Sequence, residues 1–579
     1  MGIASSIYIL LPIYLVAIQS GANALALRSQ NVLVPPSQHS VQQPRFGGPT
    51  PSQEHLTSSP SDAHARANTT AEDLLYALGV MQDAYFDLWQ GTWPTSIDWT
   101  AAVLGTHVSA TLGSLSAAAD ADRARGLMPR LARDGRAFEN LINYFFDHTS
   151  AFYFGENAVS LRAQAYDDMM WVVLGWLENI KFQALHSDLH YNDSWFEGTG
   201  QYWHGTQFRV PAAHRARLFY GLASAGWDER LCGGGMIWNP RLTPYKNAIT
   251  NELYISSSIG MYLYFPGDTI DSPFMESAAG RSPYTYPHDP ADLKAAKEGY
   301  AWLQNSNMMV GRLYADGFHI SGWESAKQPG TMECDVLNPM LYTYNQGVIL
   351  SGLRGLWLAT LEQDYLRDAH DLMGEVIAAT GWPNTSSDAW AGLGRGGVLE
   401  DACDSSGTCS QDGQTFKGIF FHHLAELCRP LRPQEVQFLE AHPPPPSRGS
   451  HDWQRVFRWH EDRCGLYRPW IEHNAKAALV TKNKEGKFGM WWGIPYGAVD
   501  STAASALSPL PPGAVDYRNY DVSGEAGYRH RPEETAQNAP APAFRDLNDR
   551  GRGRTVETQS GGIAVMRALY QWKTAASES

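Results

Sequence analysis

The chain is short of basic residues for its length. Among 579 residues, Lys and Arg number 45 against 60 Asp and Glu, which gives a formal net charge of -15. A protein of that sign repels phosphates, so nucleic acid and anionic membrane surfaces are poor candidates for its main partner. An uncharged glycan is compatible with this charge. The chain also has 20 Trp and 27 Tyr, whose rings suit stacking on sugars.

Long apolar runs are also scarce, and outside the N-terminus no stretch is long enough to span a bilayer. Residues 7–18 are apolar and are followed by small residues at 22–26, as in a secretory signal, although no Lys or Arg precedes the run. We expect residues 1–24 to be a signal peptide, with an uncleaved anchor as the alternative. The protein is then expected to be secreted, extracellular or in a cell wall. Residues 571–579 are polar, so no GPI-attachment tail is expected.

Cysteines are few, but their number, six, is even, which suits an oxidising compartment. Cys403 and Cys409 are close enough to close one short loop, and the other four could form two more bridges. A zinc site is the alternative, but no C-x-x-C pair supports it, and we predict no metal. Three sequons predict N-glycosylation, at Asn68, Asn192 and Asn384.

Period-two alternation is nearly absent, whereas apolar residues recur at steps of three and four. The pattern begins with Leu74, Leu75, Leu78, Met81 and Tyr85. Further helical runs are predicted near 99–118, 136–147, 159–186, 211–225, 246–264, 291–313, 345–361, 364–380, 415–428, 468–482 and 556–572. Many helices joined by long Gly- and Trp-rich loops indicate an all-α helical toroid with a cleft built from loops at the helix ends.

The domain organisation follows from composition. Residues 25–70 are rich in Ser, Pro and Gln and are predicted to be a disordered linker. Residues 71–575 are predicted to be a single domain, with polar insertions near 431–460 and 500–553.

Two adjacent carboxylates, Asp167 and Asp168, precede a very apolar helical run over residues 169–177. Like charges beside an aromatic, water-poor surface make each other harder to ionise, so one should hold its proton. An acid that holds a proton beside an ionised carboxylate is what cleavage of a glycosidic bond requires. The alternative interpretation is that one of the two simply caps the helix.

Seven segments, in the same order along the chain, resemble glycoside hydrolase family 76, the endo-acting α-1,6-mannanases. They also resemble its fungal branch, the GPI-anchored cell-wall transglycosidases. The segments are residues 93–100, 166–176, 232–238, 246–253, 343–348, 400–420 and 558–562. Each motif alone is weak, but together they are collinear from about residue 72 to 572.

The resemblance implies an (α/α)6 barrel and a retaining double displacement. By the family pattern, Asp167 would be the nucleophile and Asp168 the general acid/base, with the carboxyl groups about 5–5.5 Å apart. The fungal branch further suggests a Cys232–Cys334 bridge, which leaves Cys428 and Cys464 as the third pair. Absence of a GPI tail would be a departure from that branch.

Five other residues in these segments are candidate sugar contacts, each with a structural alternative. Asn247 could instead cap a helix, as could Asn345, which starts a helix together with Gln346. Trp238 follows three glycines and would either stack on a sugar or pack within its loop. Asp412 would either bind mannose hydroxyls or cap a helix that begins near Thr415.

The sequence therefore predicts a secreted glycosidase that cleaves internal α-1,6-mannosidic bonds with retention. The expected partner is α-1,6-linked mannan or a mannooligosaccharide, and this chemistry needs no cofactor. We expect a monomer. A second hypothesis is a transglycosidase that transfers GPI-anchor mannan to a glucan acceptor. A third is a catalytically inactive mannan-binding protein.

Overall fold

The computed structural model describes residues 60–124, 135–191, 203–268, 270, 286–442, 453–493, 508–519 and 546–576. The predicted signal peptide and the sequon at Asn192 lie outside these residues, as does most of the insertion near 500–553. The helical part begins earlier than predicted, because the first helix starts at Pro60 and includes the end of the predicted linker.

Helices make up most of the described chain. In chain order they are α1 Pro60–Tyr85, α2 Asp98–Ala124, α3 Gly135–Gly155, α4 Ala158–Leu161, α5 Tyr166–His190, α6 Arg209–Ala223, α7 Ala248–Tyr264, α8 Pro290–Asn305, α9 Thr343–Thr360, α10 Asp364–Ala379, α11 Gln411–Cys428, α12 Pro433–Ala441, α13 Trp453–Gly465, α14 Arg468–Val480 and α15 Val556–Ala576.

Local sequence explains several helix starts. Ser410 caps α11 by accepting the backbone N–H of Gly413 (3.2 Å), and Asp289 caps α8 directly before a proline. The predicted run over 159–186 is interrupted before Tyr166, and the run over 291–313 ends at Asn305. The first of these breaks puts Asp167 and Asp168 in the first turn of α5.

Six helices form a closed inner ring. Helix α2 packs against α5, followed in turn by α7, α9, α11 and α15, and α15 packs back against α2. Outer helices cover each of these six. Helix α3 lies against α2, α6 against α5, α8 against α7, α10 against α9 and α13 against α11, and both α1 and α14 lie against α15. This arrangement is the predicted all-α (α/α)6 barrel.

Inner helices are buried on almost every side, and polar side chains are buried among their apolar ones. In α11, residues 413–427 are all buried. The ring helices approach closely where one is glycine: a Cβ on Gly347 of α9 would lie 2.6 Å from the Cα of Phe420 in α11. Any residue larger than glycine at position 347 would therefore push α9 and α11 apart.

Short strands shape the loops before the inner helices. Strand β1 (Lys246–Asn247) pairs with β4 (Gly317–His319), which pairs with β5 (Val336–Asn338), all antiparallel. Two hairpins complete the described strands: β2 (Met309–Val310) with β3 (Leu313–Tyr314), and β6 (Gly394–Arg395) with β7 (Val398–Leu399). The three-stranded sheet joins the starts of α7 and α9.

All three expected disulfides are present, which confirms the pairing that the resemblance implied. They are Cys232–Cys334, Cys403–Cys409 and Cys428–Cys464. Asn384 is exposed in a turn, a position that a glycan can reach. Among the described helices, none combines the length and the apolar character that a membrane crossing would need.

Candidate active site

Asp167 and Asp168 lie at the start of α5, held there by backbone contacts. The Tyr166 N–H donates to the Trp238 carbonyl (2.9 Å), which ties the helix start to the glycine-rich loop. The Ala165 N–H donates to Asp168 Oδ2 (3.0 Å), and the Asp168 N–H donates to Asp167 Oδ1 (3.1 Å). The capping interpretation is thus partly correct, since Asp168 satisfies one free N–H of the first turn.

The two carboxyls have unequal surroundings. Burial raises the pKa of Asp167 to about 6, although Arg518, backbone N–H groups and Trp238 act in the opposite direction. The pKa of Asp168 is raised well above its ordinary value, first by burial and then by the charge of Asp167. Asp412 raises it further. Asp168 is therefore the member of the pair that retains a proton more readily.

Arg518 provides positive charge at this site. Its Nη2 lies 3.5 Å from Asp167 Oδ2, and its guanidinium lies 4.8 Å from the centroid of the Trp238 ring. The side chain is 17% exposed, so water screens this pair only partly. Sequence analysis missed Arg518, which belongs to the insertion predicted near 500–553.

A set of hydrogen bonds fixes the segment that carries Arg518. Asn338 donates to the Val515 carbonyl (2.8 Å) and accepts the Val515 N–H (2.9 Å). The Tyr342 hydroxyl donates to Asp516 Oδ1 (2.7 Å), which also accepts the Asn519 N–H (3.0 Å). The segment is thus anchored to residues just before α9.

Trp238 does not simply pack within its own loop, because its ring faces Arg518. The loop before it is held by Lys246, whose ammonium donates to the carbonyls of Asp228 (2.7 Å), Leu231 (2.6 Å) and Gly234. A side chain at Gly235 would not fit, since φ is +89° and a Cβ would lie 2.5 Å from the ring of Trp302.

Asp412 lies close to the pair but is not the helix cap, which is Ser410. Asp412 Oδ1 accepts the indole N–H of Trp99 (3.1 Å), and Trp99 stacks on Trp171 with centroids 5.7 Å apart. Trp99 therefore reaches Asp412, whereas Trp93 is buried in the core.

Tyr344 is a second residue that the sequence analysis did not select. It is fully buried, stacks on Phe416 with centroids 3.9 Å apart, and its hydroxyl has no hydrogen-bond partner among the described residues. Burial raises its pKa well above the ordinary value, and Asp167 and Asp412 act in the same direction, so its hydroxyl remains protonated.

The three amides differ in role. Asn247 caps α7 by accepting the Thr250 N–H (3.3 Å), as the structural alternative held, and its Nδ2 has no partner among the described residues. Asn345 is not a cap, because α9 begins at Thr343. It is fully buried, and both ends of its amide lack a described partner.

The side-chain amide of Gln346, a predicted sugar contact, is hydrogen-bonded to backbone in this structure. Its Oε1 accepts the Tyr314 N–H (2.8 Å), and its Nε2 donates to the carbonyls of Tyr314 (2.8 Å) and Tyr342 (3.1 Å). Because backbone carbonyls accept both hydrogens of its NH₂ group, this amide holds two backbone segments together. Among the candidate amides, Asn247 and Asn345 are the ones with free donors.

Part of the chain matches a known protein family. Residues 213–440, which include Trp238, Asn247, Asn345 and Asp412 but begin after Asp167, match the family model of glycosyl hydrolase family 76. The chain is 26% identical over 206 residues to the mannan endo-1,6-alpha-mannosidase DFG5 of Saccharomyces cerevisiae, over 34% of this chain and 35% of that protein. It is 24% identical over 226 residues to the mannan endo-1,6-alpha-mannosidase DCW1 of Candida glabrata, over 37% and 40%.

The matched part thus spans little more than a third of these curated relatives. Among solved structures, Dfg5 from Chaetomium thermophilum in complex with glucosamine aligns with 90% of this chain and 93% of its own, at 12% identity and a TM-score of 0.48. The GH76A alpha-1,6-mannanase from Salegentibacter sp. HEL1_6 aligns with 87% and 98%, at 17% identity and a TM-score of 0.44. Over residues 213–440 the chain is thus similar to glycosyl hydrolase family 76.

Proposed function

We propose that the protein is a secreted glycosidase that cleaves internal α-1,6-mannosidic bonds of mannan with retention of configuration. The observation that carries the proposal is the unequal environment of two adjacent carboxyls. Asp167 faces the cation Arg518, whereas Asp168 faces the negative charges of Asp167 and Asp412. The substrate class is taken from the names of the matched relatives, both mannan endo-1,6-alpha-mannosidases.

In the first step, ionised Asp167 attacks the anomeric carbon. The bond from that carbon to the leaving oxygen breaks as Asp168 transfers its proton to that oxygen. In the second step, Asp168, now ionised, takes a proton from water, and the water oxygen displaces Asp167 from the sugar. Two inversions at one carbon give net retention. Besides the sugar and this water, the only groups that react are the carboxyls of Asp167 and Asp168.

Binding of the sugar is proposed to use the half-buried rings of Trp99 and Trp238 and the free donors of Asn247 and Asn345. The carboxylate of Asp412, which accepts the Trp99 indole N–H, is proposed to accept hydrogen bonds from sugar hydroxyls as well. These side chains are carried by α2, the glycine-rich loop, β1 and the first turns of α9 and α11.

The test is incubation of purified protein with unbranched α-1,6-mannan, with products read by mass and by the anomeric signal in NMR. Wild type should release short mannooligosaccharides whose first-formed anomer is α. Asp167→Asn should release none and Asp168→Asn far less than wild type, whereas Asp388→Asn, at an exposed carboxylate, should match wild type. Products extended by an added glucan acceptor would indicate transglycosylation, and binding without any product would indicate the mannan-binding protein.

A further inference from the structure

A second cluster of charged residues is buried in the barrel, away from the carboxylate pair. Its members on α5 lie roughly 15–20 Å further along the helix than Asp167. The cluster contains five cations, Lys181, Arg354, Arg429, Arg432 and Arg567, and three carboxylates, Glu178, Glu426 and Glu435. None of these side chains is more than 13% exposed.

The charges in this cluster do not balance. A single carboxylate, that of Glu426, forms ion pairs with four of the cations, Lys181, Arg429, Arg432 and Arg567. Within the described part of the chain, the ion pairs of the five cations go to these three carboxylates alone. The neighbouring imidazoles add no charge, because burial lowers the pKa of His423 to about 3 and that of His422 well below its ordinary value. The formal balance is thus an excess of two positive charges.

The excess is accompanied by donors without acceptors. Arg354 Nε and Arg432 Nη1 are buried and have no hydrogen-bond partner among the described residues. Burial lowers the pKa of Lys181 despite its two carboxylate partners, and Arg432 and Arg429 act in the same direction. An uncompensated charge in a protein interior costs several kcal/mol. Native interiors avoid that cost by supplying a counter-charge.

A cavity of about 50 Å³ lies within the cluster. Its charged lining residues are the cations Lys181, Arg354 and Arg429 and the carboxylates Glu178 and Glu426, so cations outnumber carboxylates around it by one. The neutral lining includes His423 and the hydroxyl-bearing Ser256 and Ser351. That volume exceeds what one water-sized occupant needs. Lys181 and Tyr264 also line a neighbouring cavity of about 410 Å³.

We propose that this cavity binds a small monovalent anion of halide size, held by Lys181, Arg354 and Arg429. An anion supplies both missing elements, the counter-charge and an acceptor for the free Arg354 N–H. Water would supply the acceptor only. The site is independent of the proposed glycosidase chemistry, since none of its residues belongs to the carboxylate pair or its neighbours.

The first test is the melting temperature at constant pH and ionic strength in sodium chloride against sodium gluconate, whose anion is too large for the cavity. A ligand that binds only the folded state raises the melting temperature, and we expect a saturable rise of at least about 2 °C in chloride. Lys181→Met should lose this response. Lys297→Met, at an exposed lysine, should keep it.

Diffraction from crystals grown in sodium bromide gives a second readout that does not depend on a variant that folds. An anomalous bromine peak between Lys181, Arg354 and Arg429 would establish the site. A water molecule in its place, or a carboxylate from another part of the chain, would overturn the proposal. Equal melting temperatures in chloride and gluconate would do so as well.

Discussion

The guanidinium of Arg518 lies 3.5 Å from Asp167 Oδ2, although more than half of the chain separates the two residues. It also faces the ring of Trp238. A cation next to one carboxyl of an adjacent pair favours ionisation of that carboxyl and leaves the proton on the other. Arg518 lowers the pKa of both aspartates, but its ion pair is with Asp167, so it favours ionisation of Asp167 over that of Asp168.

Arg518→Met should move the acid side of the pH–activity profile towards neutral pH. The pKa of Asp167 is about 6 with Arg518 present, and Arg518 lowers it, so loss of the guanidinium raises it. Since attack requires ionised Asp167, the acid midpoint of kcat/KM should rise by about one pH unit. The two carboxyls titrate together, so the midpoint belongs to the pair.

Arg518→Lys provides the matched control, because it keeps the charge and loses the planar group over Trp238. Its acid midpoint should lie between those of wild type and Arg518→Met. An acid midpoint that is the same in all three proteins would show that Arg518 does not act on Asp167.

Asp168→Asn should be less active and yet more stable at pH 7. Burial and the charge of Asp167 raise the pKa of Asp168 in the folded protein above its ordinary value of 3.8. At pH 7, ionisation of Asp168 therefore costs free energy in the folded state but not in the unfolded state. An amide cannot ionise, so the variant escapes this cost. Activity should fall by about 10²–10⁴-fold, as expected for loss of an acid/base group.

Thermal unfolding of Asp168→Asn and wild type at pH 7 and pH 3 checks the sign. The variant should melt higher at pH 7, and the difference should disappear at pH 3, where both carboxyls of wild type are protonated. A variant that is less stable at pH 7 would mean that the hydrogen bond from Ala165 needs the carboxylate.

The barrel could be predicted from sequence because each inner helix carries an apolar period. The three-and-four spacing that begins at Leu74 recurs along the chain, and every predicted run contains a helix. Asp167 and Asp168 could be selected as candidate catalytic residues because ionising two adjacent carboxylates beside an apolar run costs free energy. Such signals are local.

Arg518 could not be found in this way, since it lies in a polar segment without periodicity. Its position depends on two hydrogen bonds, from Asn338 to Val515 and from Tyr342 to Asp516. Only the fold brings these residues together. Likewise, adjacent Asn345 and Gln346 have the same amide chemistry. The difference between them is set by which one reaches the backbone of Tyr314.

Gln346→Ala should therefore lower stability, whereas Asn345→Ala should lower activity. Loss of Gln346 leaves buried backbone groups of Tyr314 unpaired and should lower the free energy of unfolding by about 2–4 kcal/mol. Loss of Asn345 removes a buried amide without described partners, so stability should change little while kcat/KM on mannooligosaccharides falls. Urea unfolding and steady-state kinetics on both variants separate these roles, and unchanged kinetics in Asn345→Ala would remove Asn345 from the site.

The disulfides should contribute to stability according to the length of chain that they close. Cys232–Cys334 closes 102 residues and Cys403–Cys409 closes 6. Chain entropy predicts a cost of about 4–5 kcal/mol for the first and about 2 kcal/mol for the second when both cysteines become serine. Cys232 also adjoins the glycine-rich loop whose Trp238 faces Arg518, so its loss should lower kcat/KM as well. Urea unfolding of the two double variants, each against wild type, measures both costs. Equal losses of stability would show that local packing around the sulfurs outweighs chain entropy.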